Sequence, residues 1–473
     1  MIDTSYDTNA SSMSVHFRFT NSLLCLVLVA LLFGEAGLLE GNDSDWPRFR
    51  GADGSGRIPV REFPAEWSAD ENVAWTAKIP GAGWSSPIST AGKVFVTTAV
   101  FDQQPGPKGF RGGVSSMRTY RQDGEKNRRQ TSFELHCLDL ATGQKLWQRQ
   151  IVRKTPSFII HPSNTYATES PATDGSLVFA YFGAAGTVAA FTLDGKPVWS
   201  REIGRFESGN GFGSGSSLAV DGSRVIVQFD NDGESFIAAL DAQTGRDVWR
   251  SPRESRTSWS SPVVWNSSGG TVIVSCSAGM ITGHNPKNGK AVWKVTEFDG
   301  SFSSSPAVTE DHIFFGNSGP GSRGPLAAVS ALAKGTLPLT LGQGDSWITW
   351  TRAGSGPGLS SPVAHEGLLY VTGGNGILSC YQTADGELVY KERLPGAASV
   401  AASLWIAGDH LFAMDESGKT FVVPTGRDFE VTGTNQLKGL FWSTPAVVKG
   451  ALLIRSAEAI HCIRSQSKSL SNL

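Results

Sequence analysis

Apolar residues occur along most of this chain in short strand-like runs, each opened by a Ser-Ser-Pro-like tripeptide. Pro171-Ala-Thr-Asp-Gly-Ser-Leu-Val-Phe-Ala180 shows the unit: a short run, a hairpin signal at Asp174-Gly175, then a second run. The tripeptide recurs at Ser85-Ser86-Pro87, Glu169-Ser170-Pro171, Ser216-Ser217-Leu218, Ser260-Ser261-Pro262, Ser304-Ser305-Pro306, Ser360-Ser361-Pro362, Ala402-Ser403-Leu404 and Ser443-Thr444-Pro445. Steps between the third residues are 84, 47, 44, 44, 56, 42 and 41. The basic period is therefore 41–47 residues, with two longer insertions.

A second signal closes the period. Gly143 precedes Trp147 by four residues, and the spacing repeats at Gly195–Trp199, Gly245–Trp249, Gly289–Trp293 and Gly386–Tyr390. The glycine suits a tight turn needing positive φ. The aromatic then holds a fixed place on the next strand, where it can dock on a neighbouring unit. Trp350 stands 11 residues before Ser361, and Trp75 stands 11 before Ser86. In the seventh unit Gly426 is followed by Phe429, at spacing three.

No first half of a repeat precedes Trp75. The last unit runs through Ala451–Arg455 and Ala459–Ile463 and then stops, one strand short. The piece missing at one end is the piece in excess at the other. A closed ring explains both, and about 42 residues per unit fits a four-stranded blade. The prediction is an all-β protein: one eight-bladed β-propeller of antiparallel blades over 71–464, closed by the strand around Trp75. An open solenoid would need capping repeats at its ends. Residues 37–70 then form an N-terminal extension and 465–473 a tail.

Composition agrees with strands and turns: 55 Gly, 14 Trp and 40% hydrophobic residues in 473. The net charge of −2 lacks the basic excess of a dedicated nucleic-acid binder. Leu23–Phe33 is an apolar run of 11, too short to span a bilayer comfortably. With Arg18 before it and Gly34-Glu35-Ala36 after it, residues 1–36 read as a signal peptide. The expected location is periplasmic or extracellular, with Met1 or Met13 as the start and no later membrane-spanning segment. Cys137, Cys276, Cys380 and Cys462 sit in strand-like runs and read as small buried hydrophobes, although an oxidising compartment permits disulfides.

Leu240-Asp-Ala-Gln-Thr-Gly-Arg-Asp-Val-Trp249 resembles the tryptophan-docking motif of propellers built from pyrroloquinoline-quinone (PQQ)-like repeats. Trp46-Pro-Arg-Phe-Arg-Gly-Ala-Asp-Gly-Ser-Gly56 and His161-Pro-Ser-Asn-Thr-Tyr-Ala167 resemble elements of exported proteins of that kind, of planctomycete type. The resemblance implies either a quinoprotein dehydrogenase or a non-catalytic propeller, such as the scaffold lipoprotein of the outer-membrane β-barrel assembly machine. A dehydrogenase of this fold is expected to hold Ca²⁺ through Glu, Asn and Asp. No two cysteines are adjacent here, unlike in the alcohol-oxidising branch.

If the anchors ring the channel, their first positions are Ser85, Glu169, Ser216, Ser260, Ser304, Ser360, Ala402 and Ser443. One acid among hydroxyls is thin for Ca²⁺, which takes six to eight oxygens. Glu169 is read two ways: a carboxylate held by Ser hydroxyls and N–H groups, or an acid orienting a polar or cationic ligand with His161 or Asn164. Trp84, Trp259 and Trp442 precede anchors; Trp84 and Trp442 would adjoin in a closed ring as one aromatic wall. They suit sugars, peptides or other rings at a mouth, or packing beneath a loop. Asp230-Asn-Asp-Gly-Glu234 lacks full EF-hand spacing and reads as an exposed turn. Gly211-Phe-Gly-Ser-Gly215 lacks the context of a phosphate loop. No metal spacing and no catalytic trio stands out.

Two insertions remain. The stretch 102–132 carries seven Lys/Arg against three acids, a net +4 suited to a solvated loop or an anionic surface. Ser318–Gly358 reads as an enlargement of blade five. The expected function is an exported binding or scaffold propeller without chemistry of its own, for an unknown protein or small polar ligand. Neither a cofactor nor a metal is expected; the alternative is a dehydrogenase using PQQ with Ca²⁺ on alcohols or sugars.

Overall fold

Each tripeptide anchor leads into the innermost strand of an antiparallel sheet, and the following hairpins carry the chain outward. The computed structural model describes residues 45–465 except 59–63, 105, 110–127, 209–210, 320–321, 340–346 and 449. The signal segment and much of the basic insertion lie outside the described residues. Among the described residues eight sheets form a ring, six of four strands and two of five. Blade one is typical: Ile88–Thr90, Lys93–Val100, Thr131–Asp139 and Lys145–Lys154. Blades are numbered from it in chain order.

The ring closes as the repeat phase requires. Val73–Lys78 pairs antiparallel with Ala459–Ile463, setting Trp75 opposite Cys462 and Lys78 opposite Ala459. The first strand of the repeat region thus completes blade eight.

Neighbouring blades are joined on their outer side by tryptophan. The indoles of Trp75, Trp147, Trp199, Trp249 and Trp350 lie on Gly143, Gly195, Gly245, Gly289 and Gly386 of the following blade. A Cβ at any of these glycines would stand only 2.4–2.7 Å from a ring atom. Each indole N–H also donates to a carbonyl of that turn, at 2.8–3.1 Å. The glycines have φ of 69–79°, so turn and close approach both require them.

In seven sheets the register slips by one residue just before the docking-position aromatic. In blades one, two and three the bulged residue turns outward, leaving Leu146, Val198 and Val248 exposed. A bulge on an outer strand interrupts the hydrogen-bonding edge that would invite another chain.

Two predicted docking residues do otherwise. Trp293 is buried against Gly283 of its own sheet. The cause is the second insertion. Gly335–Pro338 crosses to blade four and pairs in parallel with Ala291–Phe298, placing Gly335 opposite Trp293. The reading of Ser318–Gly358 as an enlarged blade five is thereby corrected: blade five keeps four strands, with Ser322–Ser330 as its third, and the extra strand enlarges blade four. Tyr390 packs on Phe429, with centroids 5.5 Å apart, where blade seven lacks the usual glycine spacing.

Nearer the axis the blades are joined by hydroxyls. The N–H groups of Ser86, Ser170, Ser217, Ser261, Ser305, Ser361 and Ser403 each donate to the hydroxyl of the next blade's equivalent residue, ending at Thr444. These distances are 2.9–3.2 Å.

Residues 45–58 run across the ring at the end of the channel away from the anchors' leading loops. Trp46 bridges Ser89 of blade one, and the Pro47 carbonyl accepts the Thr173 N–H of blade two. Arg48 donates to Val220 O in blade three at 2.6 Å. Arg50 reaches Pro306 O in blade five and Pro362 O in blade six. Arg57–Ile58 adds a parallel strand to blade seven. Burial lowers the Arg50 pKa to about 10, and the Asp53 charge offsets part of the fall.

Cys137, Cys276, Cys380 and Cys462 are free and buried, one in each of four blades. Asp230 corrects the reading of its segment as an exposed turn. Its carboxylate is buried and ion-paired with buried Arg253 at 2.9 Å, while Asp232 and Glu234 are exposed.

Candidate binding cavity at the channel mouth

The second residue of each anchor, rather than the first, faces the channel. An extended strand alternates its faces, so the first-position side chain turns into the interblade space. Ser85, Glu169, Ser216, Ser260, Ser304, Ser360, Ala402 and Ser443 are all buried, and none lines the cavity. Ser86, Ser170, Ser217, Ser261, Ser305, Ser361, Ser403 and Thr444 all do. The assignment of the first position to the channel is thereby corrected.

The cavity has a volume of about 790 Å³ and opens on the side of the loops that precede the anchors. Phe49 from the crossing N-terminal segment also lines it. Its walls carry two aromatic groups. Trp84 and Trp442 stack across the seam between blades one and eight, with centroids 5.9 Å apart and planes at 20°. The Trp84 indole N–H is fixed on Ser163 O at 2.8 Å. Trp259 meets Phe212 edge to face, with centroids 6.1 Å apart, and its N–H donates to Gly213 O at 2.8 Å.

Phe212 belongs to the glycine-rich stretch Gly211–Gly215, which sequence reasoning set aside. Its role is conformational: Gly211 and Gly213 have φ near 72°, and the loop they allow presents Phe212 at the mouth. Glycine pairs flanking one aromatic were the available signal. His161 and Asn164 hold this loop from behind. The His161 N–H donates to Gly211 O at 2.7 Å, and its ring stacks on Phe212 at 5.0 Å. The Asn164 amide donates to Phe212 O, and its carbonyl oxygen accepts the Thr168 hydroxyl at 2.6 Å. Asn164 reaches the cavity; His161 does not line it, and burial lowers its pKa.

Glu169 is fully buried behind the cavity wall, next to Ser214. One oxygen accepts the Gly183 N–H at 2.9 Å and, among the described residues, the other has no hydrogen-bond partner. Burial raises its pKa; hydrogen bonds from Ser214 and backbone N–H groups offset part of the rise.

Among the described residues lining the cavity, Arg323 is the single charged one. It arrives on the second insertion and is anchored to Gly356 O at 2.7 Å and Ser355 O at 3.1 Å. Burial lowers its pKa.

Calcium with a quinone would need several carboxylate or amide oxygens converging in the channel. Among the described residues no group of three or more His, Cys, Asp and Glu could hold a metal ion. The lining offers hydroxyls, two Asn amides and a guanidinium, a donor set that does not fit Ca²⁺.

Eight radial four-stranded units, tryptophan-on-glycine docking and a hydroxyl-lined channel define a β-propeller of PQQ-like repeats. The chain belongs to the family described as outer membrane protein assembly factor BamB, whose profile matches residues 131–334 and 340–460. Among curated relatives, tetrathionate hydrolase of Acidithiobacillus ferrooxidans is 22% identical over 300 residues, 58% of this chain and 52% of that protein. BamB of Yersinia pestis is 26% identical over 210 residues, 42% of this chain and 48% of that protein. Each match spans about half of the relative's own length. A solved europium-containing methanol dehydrogenase superposes with a TM-score of 0.59 at 12% identity, covering 89% of this chain and 91% of its own. That likeness is one of fold.

Proposed function

We propose that this protein is an exported binding or scaffold propeller that takes a ligand or protein partner at the channel mouth, without quinone chemistry of its own. One observation carries the reading: the cavity is lined by aromatic rings and hydroxyls, and among the described residues no carboxylate lines it. Quinone oxidation of an alcohol needs a base and a cation polarising the quinone carbonyl. Glu169, the acid nearest to such a role in sequence, is walled off. The BamB relatives support a protein partner at an outer membrane. Export rests on the signal-like residues 1–36. Among the described residues no helix is long and apolar enough to cross a membrane.

The test is incubation with PQQ and Ca²⁺. Equilibrium dialysis is expected to show no stoichiometric uptake, and alcohols or aldose sugars no saturable dye reduction. One-to-one uptake with substrate-dependent reduction, abolished by Glu169→Gln, would establish the dehydrogenase instead.

A further inference from the structure

In seven blades the docking place on the outer strand holds Trp or Tyr. In blade seven it holds Gly433, paired opposite Val422 as Trp249 is paired opposite Ala239 in blade three. The outer strand of blade seven is short as well, Gly433–Gln436. The joint from blade seven to blade eight therefore has no aromatic of its own at the usual place.

The room is filled from a distant part of the chain. Trp67 is buried in one cluster with Phe412 and Val422 of blade seven and Val447 and Leu453 of blade eight. Its indole stacks on Phe412, with centroids 6.3 Å apart, and Phe412 stacks in turn on Trp405 at 5.4 Å. Asn435 clamps the backbone beside it. The Asn435 Oδ1 accepts the Trp67 N–H at 2.9 Å, and its Nδ2 donates to Ala65 O at 2.9 Å.

The same N-terminal segment also holds the inner edge of blade seven. Arg57–Ile58 lies parallel to Ile406–Ala407. The Ile406 N–H donates to Gly56 O at 2.9 Å and the Gly408 N–H to Ile58 O at 3.1 Å. Ahead of that strand, Arg50 ties the segment to blades five and six, and Trp46 ties it to blade one.

We propose that residues 45–58 and 64–67 are the latch of the ring. They release blade seven at both edges in one event, and the seam between blades seven and eight is where the ring opens. Local opening follows the weakest set of contacts. With the latch undocked, this seam keeps the Ser403–Thr444 hydrogen bond near the axis but no docking indole on its outer side. A buried indole is among the largest single contributions to such a joint. Val73–Lys78 stays on blade eight during the event, held by its ladder to Ala459–Ile463 and by the Trp75 clasp on blade one. The channel responds too: Phe49 lines the cavity from this segment, so release of the latch uncovers the channel's far end.

Hydrogen exchange of the full chain, read by mass spectrometry at increasing sub-denaturing urea, tests the latch. Peptides over 45–58, 64–67 and 405–408 are expected to exchange through one shared opening, at lower urea than those over 247–253. Trp67→Ala should speed exchange at 56–58 and 405–408 about tenfold or more, although the substitution sits at the outer edge, and should leave 247–253 unchanged. If that variant does not fold, Asn435→Ala carries the test. It removes two hydrogen bonds and no core ring, and should give the same pattern at smaller amplitude. Acceleration confined to 64–72 would show that the two ends act independently and would overturn the latch. Opening of 247–253 at or below the urea that opens 405–408 would overturn it as well, as would unchanged exchange in both variants.

Discussion

The indole of Trp75 lies flat on Gly143 and donates its N–H to Leu140 O at 3.1 Å, so the final joint of the ring repeats the contact used between its interior blades. The residue belongs to the first strand of the repeat region, yet it serves blade eight and docks on blade one. Closure therefore combines a ladder to Ala459–Ile463 with a side-chain clasp. Within the same seam Arg455 is fully buried against Ser85 O at 3.1 Å, and burial lowers its pKa to about 9.

Deleting residues 71–80 should remove both parts of this closure. The edge of Ala459–Ile463 would be exposed, and exposed edges pair with other chains. Light scattering is expected to show aggregation, and calorimetry a lost or broadened transition. A truncated chain that stays monomeric and melts normally would contradict the closed ring.

Gly289 tests the docking contact from its other side. A Cβ there would meet Trp249 at 2.4 Å, and φ is +69°. Gly289→Ala should cost about 1–3 kcal/mol for the backbone conformation alone, with the ring clash added. Trp249→Ala should cost about 3–5 kcal/mol as a buried large aromatic. Urea denaturation measures both, and a change within about 0.5 kcal/mol for Trp249→Ala would mean the indole is not an interblade core.

His284 gives a pH dependence of known sign. Its Nδ1 lies 3.0 Å from Gly289 O and its Nε2 3.0 Å from the Ser275 hydroxyl. Burial first, then the Arg253 charge, lowers its pKa from 6.5 to about 3. Asp230 pairs with that arginine, and Lys294 also opposes protonation. The unfolded chain thus binds the proton more readily, so stability rises with pH across this window and is lost as pH falls below 6.5. The slope is about 1.4 kcal/mol per pH unit for this group. His284→Gln should reduce the stability difference between pH 6.5 and pH 4.5 by about 2–3 kcal/mol, read by denaturant titration at the two pH values. An unchanged difference would show that His284 does not titrate on unfolding.

The thiols should be silent in the native state. Burial raises Cys137, Cys276 and Cys380 to about 12 and Cys462 to about 11. The thiolate is the reactive form. Alkylation mapped by mass spectrometry is expected to label none of these four before denaturation and all of them after it. Native labelling at any one would place that blade's interior in contact with solvent.

Much of this architecture was legible in the residues themselves. A repeat of 41–47 residues fixes the blade size, and eight anchors fix the number. The orphan Trp75 and the short last unit require a circle, because an unpaired strand at each end is costly unless the two meet. The stacking of Trp84 on Trp442 followed from that closure, since only a ring makes blades one and eight neighbours.

The tertiary structure decided what repetition cannot encode. Which of two adjacent anchor residues faces the axis depends on strand rotation, and it buried Glu169 while turning Ser170 to the channel. The insertion within blade five had no periodic partner to announce it. Its pairing beside Trp293 and its delivery of Arg323 to the cavity arise from non-local contacts. The extension at 45–58 likewise carries no repeat signal, yet its arginines find carbonyls on blades far apart in sequence. The blades follow from local pattern because each is made of neighbouring strands. The cavity's polarity follows only from assembly, because its walls come from every blade at once.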